Sequence, residues 1–124
     1  MGKKKAALLS VALIAALLIV GCPGTVTFSM LMRNNTLLDA VELNVAPASA
    51  MSWGVNWLET TIKPTKTFNL KNLPPDVYDM RVAFDSKDKA LIEVVVRDTP
   101  ITNANIIWTL MQTSAGGEIY STLQ

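Results

Sequence analysis

The sequence predicts an all-β protein: a small antiparallel β-sandwich of six to seven strands, preceded by a helical signal peptide. Three observations predict it. From Thr25 onward, apolar and polar residues alternate with a period of two, which is the period of a strand whose successive side chains point to opposite faces. Clusters of Asn, Asp, Pro and Ser cut the alternation into short runs, as turns do between strands. No amphipathic helical stripe competes with these runs. Short half-apolar strands bury their inner faces by stacking two sheets on one core.

The chain has 124 residues, enough for one domain. Residues 1–21 read as a signal peptide, 22–24 as a lipidated N-terminus and short tether, 25–111 as the sandwich, and 112–124 as a tail or edge strand. Met1–Lys5 is a basic head carrying Lys3, Lys4 and Lys5. Ala6–Val20 is fifteen residues, apolar except for Ser10. That is the make-up of an export signal. It is short for a membrane span, which needs about 20 apolar residues to cross about 30 Å of hydrocarbon. Gly21, Cys22, Pro23 and Gly24 then stop a helix abruptly.

Ile19, Val20, Gly21 and Cys22 resemble the lipobox of bacterial lipoproteins: a branched apolar residue, a small or apolar one, Gly or Ala, then Cys. The resemblance implies that the Cys22 thiol takes a diacylglyceryl group and that signal peptidase II cuts before it. Cys22 would then be the first residue of the mature protein. A thiolate is the side-chain nucleophile best suited to that alkylation. Two or more acyl chains anchor stably, at about 0.8 kcal/mol per buried CH₂. The expected location is outside the cytoplasm, tethered to a membrane by lipid. Pro23 rather than Asp after the cysteine resembles the outer-membrane sorting signal of hosts with two membranes. The alternative is an uncleaved signal anchor whose cysteine is merely a small buried hydrophobe.

The strands follow in order. In residues 25–33, Val26, Phe28, Met30 and Met32 share a face, opposed by Thr25, Thr27 and Ser29. Asn34-Asn35-Thr36 is a turn; it also matches a glycosylation sequon, but behind a bacterial lipobox a plain turn is the expected reading. Val41, Leu43 and Val45 alternate with Glu42 and Asn44. Phe68 and Leu70 mark a third run. Tyr78, Met80, Val82 and Phe84 face inward in a fourth, with Asp79, Arg81 and Asp85 outward. Ile92, Val94 and Val96 are inward in a fifth, and Ile106, Trp108 and Leu110 in a sixth. Residues 119–123 either fray or add an edge strand. The connection from Pro47 to Thr65 is long for a compact domain and holds Trp53 and Trp57, two of the three tryptophans.

The order of short motifs across most of this region resembles a small domain common in secreted bacterial proteins. The matching residues are Asn34–Thr36, Ala46–Pro47, Trp53–Gly54, Pro64, Tyr78-Asp79-Met80-Arg81-Val82 and Trp108-Thr109-Leu110. The chain departs from that pattern at Asp76-Val77, where the family has Gly before the tyrosine, and at Lys87 and Lys89 in an otherwise acidic hairpin. The family has no established biochemical role, so the resemblance implies the fold and export, and no activity.

Composition excludes several functions. The formal net charge is +1. Once Lys3, Lys4 and Lys5 go with the signal, eight basic groups face ten acidic ones, a net charge of −2. No basic cluster follows residue 22, so a nucleic-acid partner is not expected. There is no histidine, which removes the usual general base and the commonest metal ligand. With Cys22 assigned to lipid, no Ser-His or Cys-His pair can form. No Ser-x-x-Lys motif marks a Ser-Lys dyad. No enzyme activity and no cofactor are therefore expected. Asp85-Ser86-Lys87-Asp88 lacks calcium-loop spacing and carries lysine, so it reads as a hairpin turn rather than a metal site. Asp79 and Arg81, two apart on one face, read as a surface ion pair worth at most about 1 kcal/mol.

Trp53, Trp57 and Tyr78 are the candidate contacts for a ligand or partner. The competing reading makes Trp53 a plug at the sandwich end, with Gly54 permitting a tight turn. The expected role is a lipid-anchored, non-catalytic binding or structural module of the cell envelope, with the membrane and a protein or glycan as partners. A sheet edge offers one way to meet a partner, by strand addition. The alternative is a carbohydrate or small-ligand binder using the Trp53–Trp57 loop.

Overall fold

The period-two runs are strands. The computed structural model describes residues 26–86, 90–114 and 116–124. In chain order its strands are β1 Phe28–Asn35, β2 Asp39–Pro47, β3 Thr67–Leu73, β4 Asp76–Asp85, β5 Leu91–Ile101, β6 Ile106–Gln112 and β7 Ile119–Leu123. They form a β-sandwich of two sheets, ordered β3-β1-β6-β7 and β2-β4-β5. The tail is an edge strand: Ile119–Leu123 pairs antiparallel with β6.

The inward residues predicted from alternation make most of the core. Met30, Met32, Leu43, Met80, Val82, Phe84, Trp108 and Leu110 have no exposed surface, and Val45, Leu70 and Tyr78 have little. Each large side chain contributes about 1.5–3 kcal/mol by leaving water. Leu58 and Ile62, from the long connection, complete the same cluster.

Three expectations are corrected. The sandwich is not wholly antiparallel, because β1 and β6 run parallel, from Met30 opposite Ile106 to Asn35 opposite Met111. A parallel pair needs a long connection between its strands, and here four strands, β2 to β5, separate the two. Ile92 faces inward, opposite Phe84, but is not buried; it is 37% exposed, because β5 is the last strand of its sheet and nothing among the described residues covers that flank. Asp79 is not a solvated outward carboxylate; it is 3% exposed.

Three local devices hold the chain crossings. Asn34, at the end of β1, continues the inward series of Met30 and Met32 and is fully buried. Its Nδ2 donates to the carbonyls of Leu38 at 2.9 Å and Ile62 at 2.8 Å. Its Oδ1 accepts from the backbone N–H of Thr36 at 3.0 Å and from Thr36 Oγ1 at 2.7 Å. A primary amide has two donors and two acceptor sites, and all four are used. Between β3 and β4, Pro74 and Pro75 turn the chain, and the Tyr78 hydroxyl donates to the Pro74 carbonyl, the geometry of a tyrosine corner. The third device is a bulge. Tyr78 pairs with Thr99 but Met80 with Val96, so Asp79 stands opposite both Arg97 and Asp98. Asp98 has φ of 54°, and its N–H donates to Asp79 Oδ1 at 2.9 Å.

Candidate functional site

The long connection is a cover for the outer edge of β2. Ala40 and Ile62 exchange backbone hydrogen bonds at 3.0 and 2.9 Å. The Trp57 N–H donates to the Leu43 carbonyl at 2.8 Å. Asn56 Oδ1 accepts from the Leu43 N–H at 2.9 Å, and Asn44 Nδ2 donates to the Val55 carbonyl at 2.9 Å. The unpaired groups of an edge strand are a template for association unless something caps them, and residues 55–62 cap β2.

The same segment places the tryptophans. Gly54 has φ of 77°, a conformation that costs a non-glycine residue but not glycine, and this accounts for the Trp-Gly pair. Trp53 is half-buried, with the Arg97 guanidinium carbon 5.4 Å from its ring centroid, a cation–π distance. Trp57 is half-buried and packs against the core. Tyr78 is 4% exposed, so it is a core residue with no ring face for a ligand. Burial, and then the nearby Asp76 carboxylate, raise its phenol pKa well above the usual range. A groove lined by Trp53, Trp57 and Tyr78 therefore does not form.

The outer face of β2-β4-β5 carries a charge ladder that the sequence did not reveal. Arg81, in the middle strand, donates to Glu42 at 2.8 Å and Asn44 at 2.7 Å on β2, and to Glu93 at 3.0 Å on β5. Ala83 stands between Glu42 and Glu93 in the register and has no exposed surface. The hydrogen bond from Arg81 holds the Glu93 carboxyl below its usual pKa, and the bond to Glu93 raises that of Arg81. Asp79 accepts from Arg97 Nη1 at 3.1 Å. The expected Asp79–Arg81 surface pair is thus replaced by two cross-strand sets. Residues two apart on a strand lie nearly 7 Å apart, whereas neighbouring strands lie about 4.8 Å apart, so each charge pairs sideways. Alternating charges at outward positions were visible in the sequence; which ones meet depends on register.

Beside this face lies the free edge of β5. Among the described residues no strand pairs with its outer side. Leu91, Ile92 and Val95 are 42%, 37% and 39% exposed. The other sheet's edges differ. Outer strand β3 carries Lys71 and ends beside Asn72 with φ of 63°, and charge and irregular backbone both blunt an edge. Outer strand β7 has five residues.

Among the described residues, no group of three or more His, Cys, Asp or Glu is placed to hold a metal ion, and no helix is long and apolar enough to cross a membrane. Ser86 Oγ donates to the Ala90 carbonyl at 2.7 Å across the β4–β5 turn; Lys87 and Asp88 lie outside the described residues, as do Cys22 and the whole signal segment. Comparison with protein-family models, with curated proteins and with solved structures finds no match to this chain.

Proposed function

We propose that this protein is a lipid-anchored, non-catalytic module of the cell envelope that meets its partner along the free edge of β5. The anchor rests on the sequence: a lysine head, a fifteen-residue apolar run and the Ile19-Val20-Gly21-Cys22 exit. The partner edge rests on one observation. Of the four outer strands, β5 is the one that is long, exposed in its apolar residues and uncapped among the described residues. Strand addition uses such an edge, with main-chain hydrogen bonds for affinity and alternate side chains for specificity.

Two experiments test the two halves. Mass spectrometry of the membrane-extracted protein should find Cys22 at the N-terminus with acyl mass, and Cys22→Ala should accumulate as uncut precursor. A mature chain that still begins at Met1 overturns the anchor. For the edge, Val95→p-benzoylphenylalanine in the full chain on intact cells should give discrete photo-adducts that the same probe at Asn69, on β3, does not. No adduct from position 95 overturns the edge.

The competing reading, a carbohydrate or small ligand on the Trp53–Trp57 loop, draws on Trp53, a half-buried ring beside the hydrogen-bond donors of Arg97. Tryptophan fluorescence titrated with envelope glycans tests it. A signal lost in Trp53→Ala supports that reading, and an unchanged signal removes it.

A further inference from the structure

We infer that the partner of the β5 edge is a second copy of this chain, paired antiparallel about a twofold axis at Val95. The inference rests on the edge reading above and adds the identity and register of the partner.

Face parity restricts the registers. In a symmetric antiparallel pair the axis passes through one residue if outward side chains are to stay outward on both strands. With the axis at Glu93, two carboxylates oppose each other, and like charges directly opposite are destabilising. With the axis at Val94, Glu93 meets an apolar Val95. With the axis at Val95, Glu93 of each copy stands opposite Arg97 of the other, Val94 opposite Val96, and Val95 opposite itself. That register uses every outward position from Glu93 to Arg97. The bulge at Asp98 ends the regular edge there, so the pairing is five residues long.

The charges support the same register. Glu93 and Arg97 are side chains that remain 52% and 56% exposed although each already has one partner. Joining two copies would continue the ladder across the seam without a break in alternation: Glu42, Arg81 and Glu93 of one copy, then Arg97 and Asp79 of the other. On the inner side, half-buried Val94 and Val96 would each gain an apolar neighbour, and the two three-stranded sheets would become one of six strands. An edge this short is a weak contact between free molecules. Confinement to a membrane surface raises the effective concentration of one copy near another.

The test uses the full chain in its own membranes. The twofold register puts the two Val95 Cα atoms about 4.5–5.5 Å apart, within reach of a disulfide. Val95→Cys should therefore form a disulfide-linked dimer on oxidation with copper phenanthroline, while the wild-type chain and Asn69→Cys should not. In the Val95→Cys background, Glu93→Arg alone and Arg97→Glu alone should each lower the dimer yield about tenfold, because each sets like charges opposite. Co-expressing the two should restore it, since every charge across the seam then meets its opposite. Protease resistance of each variant, matched to the wild type, shows that the fold is kept. Absence of the Val95→Cys dimer, or a mixture no better than the single variants, overturns the inference. Photo-adducts from position 95 separate the two readings. An adduct of two-chain mass supports both. Adducts at other masses only overturn the second copy and leave the edge reading standing. No adduct removes both.

Discussion

The side-chain amide of Asn34 donates a 2.8 Å hydrogen bond to the carbonyl of Ile62, 28 residues along the chain. One residue at the end of β1 thereby fixes the turn into β2 and the end of the segment that covers β2. The Thr65 N–H donates to the Asn34 carbonyl at 2.7 Å and the Asn34 N–H to the Lys66 carbonyl at 3.0 Å, so the same residue also starts the pairing of β1 with the approach to β3. The Asn-Asn-Thr motif is accounted for by this packing. A buried amide with both N–H groups donated is also a poor acceptor for a glycan.

Replacing that amide should be costly. Asn34→Ala removes four hydrogen bonds from a site without solvent and strands part of the turn. The expected loss is about 3 kcal/mol, since each buried polar group left without a partner costs about 1–3 kcal/mol. Urea unfolding midpoints of wild type and variant measure it. A loss below about 0.5 kcal/mol, the level of an ordinary surface change, would refute the role.

The Arg81 ladder makes stability sensitive to acid. The Glu93 carboxyl has a folded pKa below its unfolded one, chiefly through the hydrogen bond from Arg81. Its contribution is present above the unfolded value and is lost as pH falls through the folded value. In Arg81→Met this depression disappears, so the acid limb of the stability curve should flatten below about pH 4.5. Thermal melts from pH 7 to pH 3 on both proteins give the comparison; parallel acid limbs would count against it.

Tyr78 sets the alkaline limb. Its phenol is raised, first by burial and then by Asp76, so the protonated form is favoured in the folded state. That contribution is present below the unfolded pKa of about 10 and is lost as pH rises beyond it. Tyr78→Phe should be less stable at pH 7 by about 1 kcal/mol, having lost the bond to Pro74. It should also lose less stability than wild type between pH 9 and pH 11. Unfolding midpoints at the two pH values check the crossover in slope.

Thr99 offers a stabilising change. Its hydroxyl is buried on β5 with no hydrogen-bond partner among the described residues, and valine has nearly the same shape with no polar atom. Thr99→Val should raise stability by about 1 kcal/mol, the cost of burying an unpaired hydroxyl. A rise in the thermal midpoint measures it, and a fall would show that the hydroxyl has a role.

Much of the fold was legible because alternation is a property of single strands. Inward series such as Met30–Met32 and Tyr78–Phe84 follow from period two, with no knowledge of neighbours. Ile92 departed from its series because inwardness guarantees burial only when another strand lies alongside. Asp79 departed because a β-bulge folds two residues of β5 around one carboxylate, and bulges leave no reliable mark on composition. The candidate site was less legible. Trp53 and Trp57 stand out in the sequence because they share one long connection, but whether a ring is a plug or a platform depends on what packs against it. For Tyr78 that is the core.

By itself the sequence determined the fold class, the positions of the strands, most of the core and the expectation of a lipid-tethered module, because each is written in local pattern. Strand order, the parallel β1–β6 pair, the sideways partners of Arg81 and Asp79, and the contrast between a capped β2 and an open β5 were decided by tertiary structure. The physical reason is common to all four. They depend on which segments distant in the chain come within a hydrogen bond of one another, and that is settled by packing two sheets on a single core.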